Sequence, residues 1–154
     1  MKMTKNALPR LTFDASTTCE LAGLTSPMLD YLTRERFIVP SGSPKRGRGN
    51  KRFFTFGDIV TLRVISQLLN SGIEIRRLWR GLRRFRKMVA GSQPGAMPFR
   101  FMMTDGVDVF FESNGSLESL TRNGQLAFMF LIDVSVCDRA IGEKAKSLPV
   151  RLAA

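Results

Sequence analysis

The twenty residues from Thr17 to Arg36 constrain the fold more than any other stretch of the chain. Thr17 or Thr18 is expected to cap a short helix running to about Ala22. Gly23 supplies the left-handed position that ends it, and Leu24 follows as a buried anchor. Thr25 is the next cap, with Ser26 and Pro27 suited to the first turn of a helix that runs to about Arg36. Leu29, Leu32 and the ring of Tyr31 give that helix one apolar side. Two helices joined by a tight glycine turn form a helix-turn-helix. Residues 1–12 read as a polar lead-in.

The next eighteen residues add a wing to that unit. Phe37, Ile38 and Val39 make a short extended run, and SGSPKRGRGN after Pro40 has the composition of a hairpin tip. Residues 51–54 return as a strand, so strand, basic loop and strand make the wing. Lys45, Arg46, Arg48, Lys51 and Arg52 fall within eight residues. A glycine-rich tip brings such side chains close to a phosphate ridge or into a minor groove. The plain alternative is a solvated basic loop. Thr55 caps a third helix to about residue 69, with Asp58 in a capping-box position. Ile59, Leu62, Ile65 (with Val64) and Leu69 recur along it at helical spacing. A fourth helix spans about 75–89. Ile75, Leu78, Leu82, Phe85 and Val89 share one face, and the opposite face is rich in arginine. Those arginines either extend a phosphate footprint or form a solvated face; a basic amphipathic helix also suits an anionic membrane surface.

Beyond residue 90 the pattern changes. Residues 91–98 form a linker by composition. Residues 99–104 and 107–112 flank Asp105-Gly106, a strong hairpin signal. Asn114-Gly115 marks a second turn, 116–120 a third strand and Asn123-Gly124 another turn. The apolar run 126–132 reads as a central strand, with a buried helix as the alternative, and 134–147 reads as a final helix. The expected fold class is α+β. A winged helix-turn-helix domain occupies 13–90, and a small β-hairpin-rich domain occupies 99–148 after the linker. About fifty residues bury a core only marginally. This part is therefore expected to cover a face on the first module or on a partner copy, and homodimerisation is the reading adopted.

Charge divides the chain in the same way. Residues 1–98 carry 18 basic and 6 acidic side chains, a net of +12, while 99–154 carry 6 and 7, a net of −1. The cationic half predicts a polyanionic partner, and double-stranded DNA is the commonest. There is no histidine, which removes imidazole catalysis and imidazole metal sites. Cys19 and Cys137 form no CxxC pair and fit a reduced compartment. Asp105, Asp108 and Glu112 read as a polar turn rather than a magnesium site. No catalytic set, cofactor or metal is implied, so the chain is not expected to be an enzyme. No run of about 18 apolar residues and no signal-peptide core is present, so a cytoplasmic, nucleoid-associated protein without membrane contact is expected.

Three segments, ELAGLTSPMLDYLTRERFIVPS, KRGRGNKRFFTFGDIVTLRVI and LLNSGIEIRRLWRGL, keep the order and separations of the MerR family of winged helix-turn-helix regulators. The resemblance covers about residues 16–90. Arg36 stands where the family often has Gly, and the long dimerisation helix has no counterpart after residue 90. The metal-sensing cysteines of some members are also missing, so metal sensing is not implied. The resemblance implies a sequence-specific transcriptional regulator with its second helix in the major groove and its wing on the backbone or in the minor groove.

The candidate DNA-binding residues are Thr25, Ser26, Met28, Tyr31 and Arg34 on the second helix, with Lys45, Arg46, Arg48, Lys51 and Arg52 on the wing. Ser26 and Met28 are the base-edge candidates, and Arg52 matches the family's wing Arg. Tyr31 is either a phosphate contact or a half-buried ring. Asp30 is expected to pair with Arg34 one turn on; its alternatives are to accept from cytosine N4 or to orient a neighbouring Arg. Two other functions stay open. One is an architectural or recombination-directionality protein. The other is an antitoxin-like autoregulator that holds a protein partner through 99–148.

Overall fold

The computed structural model describes residues 11–42, 51–106, 108–112, 130–145 and 151–152. Lys45, Arg46 and Arg48, the Asn114-Gly115 and Asn123-Gly124 turns, the expected strand 116–120 and the first part of the 126–132 run lie outside the described residues.

Residues 11 and 12 belong to a strand, not to a polar lead-in. Strand β1 (Leu11–Asp14) buries Thr12 and Phe13 and ends on Asp14, whose Oδ1 accepts the Thr17 N–H at 2.9 Å. Asp14, rather than Thr17 or Thr18, therefore caps helix α1 (Ala15–Ala22). Its extended backbone suits the cap, and Asp ranks above Thr there. Gly23 ends the helix at φ 76°, and its N–H donates to the Cys19 carbonyl at 2.9 Å. Thr25 caps helix α2 (Ser26–Arg34) as expected, accepting the Met28 N–H at 3.2 Å, and Leu29 and Leu32 face inward.

The end of α2 corrects the wing geometry. The Arg36 N–H donates to the Thr33 carbonyl and the Phe37 N–H to the Leu32 carbonyl, a Schellman arrangement. Arg36 takes the left-handed position at φ 66°. Ile38 N–H also turns back to Leu32. With those donors committed to the helix end, residues 37–39 do not form the expected strand; Phe37 and Ile38 are core residues instead. Strand β2 (Phe53–Thr55) pairs antiparallel with β1, Phe13 opposite Phe54. One bond, Gly42 N–H to the Phe53 carbonyl at 3.0 Å, joins the two ends of the basic segment.

Helix α3 (Phe56–Asn70) starts from a complete capping box between Thr55 and Asp58. Sequence periodicity points to one apolar face, yet Val60 and Leu68 are buried as fully as Ile59, Leu62, Val64 and Ile65. Three helices account for this, since α1 and two later helices, α4 (Trp79–Val89) and α5 (Val134–Ala145), all pack on α3. The fourth helical segment begins as a 3-10 turn (Ile75–Leu78) before α4.

Strands β3 (Phe101–Thr104), β4 (Val109–Glu112) and β5 (Phe130–Asp133) form a second antiparallel sheet in the order β4-β3-β5. The β3–β4 connection is residues 105–108, longer than a two-residue turn at Asp105-Gly106. The Thr104 hydroxyl donates to the Asp108 carbonyl and accepts the Gly106 N–H, and Asp105 Oδ1 accepts the Asp108 N–H, which stabilises the wider loop. Helix α5 follows β5 directly, and β6 (Arg151–Leu152) adds to the outer side of β1. That last pairing has no local sequence signal.

One apolar cluster runs through both halves of the chain, from Phe13 through α3 to Met102, Ile132 and Ile141. Phe85, Phe99 and Phe111 interlock within it, with ring centroids 5.3 Å (Phe85–Phe99) and 4.8 Å (Phe99–Phe111) apart. The Asp138 carboxylate accepts the Gly95 N–H at 2.8 Å, tying the linker to α5. Among the described residues no helix is long and apolar enough to cross a membrane.

Candidate nucleic-acid interface

The first turn of α2 is presented outward because its apolar side is consumed by Leu29 and Leu32. Thr25, Ser26 and Pro27 are exposed, while Met28 is half-buried against the core. The cap bond occupies the Met28 N–H, but Ser26 and the polar turn around it face solvent. Of the two base-edge candidates, Ser26 is the more accessible.

Arg52 reaches the same helix from the other side of the basic segment. Its Nη2 donates to Asp30 Oδ1 at 2.9 Å and its Nη1 to Thr33 Oγ1 at 3.1 Å. The expected Asp30–Arg34 pair is therefore replaced by Asp30–Arg52. Thr33 gives Arg52 a second acceptor further along the helix. Arg34 instead lies over the Tyr31 ring, 5.9 Å from its centroid. Burial, partly countered by nearby Arg52, pushes the Cys19 thiol up, so Cys19 stays a protonated, half-buried filler near this pair.

A second anchor holds the start of the basic segment. Asp58 Oδ2 accepts from the Thr55 N–H at 3.0 Å, the Ser41 N–H at 2.9 Å and the Ser41 hydroxyl at 2.6 Å. A capping residue in the middle of the chain thus also fixes residue 41, just before the loop. The sequence marks Asp58 as a cap but carries no mark for its bonds to Ser41, nor for those of Arg52 to Asp30 and Thr33. Lys51 is exposed beside Arg52. Lys45, Arg46 and Arg48 lie outside the described residues, so what the structure brings together is Thr25, Ser26, Asp30, Thr33, Lys51 and Arg52.

Tyr31 is half-buried, and its ring sits 6.4 Å from that of Phe37. Its hydroxyl accepts from Arg76 Nη2 at 3.3 Å, and Arg76 also reaches Glu35 at 3.4 Å. The Tyr31 bond above all, with Glu35 adding to it, shifts the Arg76 guanidinium further up from its ordinary value. Trp79 packs edge-on against Phe37 at 4.7 Å, consistent with a structural role.

A capped, outward-facing second helix with a basic strand end fixed onto it defines a helix-turn-helix domain, set in an α+β chain whose C-terminal part is β-rich. Residues 14–83 match the sequence profile of the MerR HTH family regulatory protein, and the domain is MerR-like. The chain is also 37% identical over 60 residues to uncharacterized HTH-type transcriptional regulators of Mycobacterium bovis and of two strains of Mycobacterium tuberculosis. That match takes in 39% of this chain and 27% of each relative, so it spans about a quarter of their length.

Proposed function

We propose that this protein is a sequence-specific, double-stranded DNA-binding transcriptional regulator that works as a homodimer in the compartment holding the DNA. The carrying observation is the attachment of Arg52 to Asp30 and Thr33 of α2, one to two turns on from the exposed Thr25–Ser26 turn. It puts a phosphate-seeking cation and a groove-sized helix on one surface. On this reading α2 enters the major groove, where Ser26 and Met28 meet base edges. Lys51, Arg52 and the basic loop with Lys45, Arg46 and Arg48 hold the backbone or enter the minor groove. Tyr31 and Arg34 serve as backbone contacts at the far end of the helix. Pairing of protomers involves the 99–148 part, where Val136 on α5 is 53% exposed.

Salt titration of the affinity for a specific duplex tests this. If each protomer neutralises about four phosphates, the log–log slope for the dimer is about −7. Affinity that barely responds to salt removes the mechanism.

A further inference from the structure

Between α4 and the β3–β4 hairpin lies a cleft of about 680 Å3, lined by none of the residues assigned above to DNA contact. Arg76, Arg77, Arg80 and Arg84 line one side of it, and Asp108 and Val109 the other. Arg84 ties the two walls together. Arg84 donates to the Val109 carbonyl at 3.0 Å and lies 5.0 Å from the centroid of the Phe111 ring. Arg76 and Arg77 are each 69% exposed, and Arg77 leans on Glu74 at 3.4 Å. Arg80 has no hydrogen-bond or ion-pair partner among the described residues. It is one helical turn from Arg84, so the two stems leave the same face about 6 Å apart along the axis.

Four arginine side chains line the cleft against one carboxylate, Asp108; Arg76 and Arg77 are also paired with Glu35 and Glu74, which do not line it, so the concavity is cationic chiefly through Arg80 and Arg84. The guanidinium fork matches a phosphate better than it matches a single halide at an open surface. We propose that this cleft is a phosphoanion site whose occupant is a small compound carrying two or more phosphate groups. Arg76 gives that site a connection to α2, because the same guanidinium binds the Tyr31 hydroxyl and Glu35. An anion that draws Arg76 into the cleft releases both from it. By linkage, ligand and DNA then change each other's affinity by one common factor. This coupling rests on the proposed DNA-binding function; anion binding does not.

The test is titration calorimetry of the full chain with inorganic pyrophosphate, without DNA, at about 0.15 M salt, where distant charges are screened. One site per chain is expected. Arg80→Gln, at a surface position, is expected to weaken it about tenfold or more through loss of a charge-assisted contact. Asp108→Asn is expected to tighten it severalfold by removing the one carboxylate that lines the cleft among the described residues. Absent binding, or binding indifferent to both substitutions, overturns the site. The same variants titrated with duplex separate the two phosphate sources. If Arg80→Gln lowers duplex affinity while pyrophosphate does not bind, the arginines serve the DNA backbone and the small-ligand proposal is wrong. If pyrophosphate binds and Arg80 is needed, but saturating pyrophosphate leaves duplex affinity unchanged, the site stands and the Arg76 coupling falls. Failure of the unaltered protein to bind any duplex overturns the DNA reading alone.

Discussion

Arg52 has two roles that one pair of substitutions separates. In the free protein it joins Asp30 through side chains that are 34% and 54% exposed. A pair that open to water is worth about 0.2–1 kcal/mol, and the part-exposed bond from the charged guanidinium to the Thr33 hydroxyl adds about 1. Arg52→Ala is thus expected to lower folding stability by about 1–2 kcal/mol, and Asp30→Ala by less than about 1. On DNA the two differ in sign. Arg52→Ala removes one phosphate contact per protomer, which makes the log–log salt slope of a dimer shallower by about 1.8 and weakens all sequences alike. Asp30→Ala removes a carboxylate facing the phosphates and frees Arg52, so non-specific affinity rises while discrimination between sequences falls. Denaturant unfolding measures the first pair of effects, and fluorescence anisotropy across a salt series measures the second. If Arg52→Ala costs more than about 3 kcal/mol of stability yet leaves the slope unchanged, Arg52 is a structural strut and the interface has been misassigned.

The packing sets three further outcomes. A Cβ on Gly81 would overlap the Val109 side chain, so Gly81→Ala is expected to push the β3–β4 hairpin off α4 and cost about 1–3 kcal/mol in denaturant unfolding; an unchanged midpoint would mean that the hairpin does not seat there. Arg36 occupies the left-handed region, so Arg36→Gly is expected to raise stability by roughly 0.5–1 kcal/mol, and a fall of similar size would contradict the Schellman ending of α2. Burial alone would raise the Asp133 carboxyl, but bonds from Ser135 and Arg100 outweigh it and hold the group below the usual carboxylate range. A group depressed in the fold contributes stability above its unfolded value near 4 and loses it as pH falls through its folded value. Asp133→Asn should therefore be less stable than the unaltered protein at neutral pH, with the difference shrinking below about pH 4; a difference constant across that range would rule the linkage out.

Signals that act over three or four residues were legible. Gly23, Thr25 and the Thr55–Asp58 box each announce a helix boundary through their own side chain or backbone, and each sits where that chemistry requires. The helix-turn-helix rests on the first two, and the hairpin at residue 105 on an equally local turn. Less legible was anything that depends on distant partners. The segment LTFD has no strand neighbour until β2 arrives some forty residues later, and β6 finds β1 only across nearly the whole chain. Helix α3 reads as amphipathic because the sequence does not say that α1, α4 and α5 surround it. At the candidate interface the same limit applies. Asp30 has an adequate local partner in Arg34, and only the approach of β2 offers Arg52 two acceptors on α2 in its place.

The central claim is that the first turn of α2 and the Lys51–Arg52 end of the basic segment meet the same duplex together. Site-specific photocrosslinking tests it most directly, with a benzophenone side chain placed at Ser26 in one variant and at Lys51 in another. Both are predicted to attach to a specific duplex within about half a helical turn of each other, Ser26 to a base in the major groove and Lys51 to the adjoining backbone. Crosslinks from only one of the two positions, or from the two positions at unrelated places on the duplex, would contradict it.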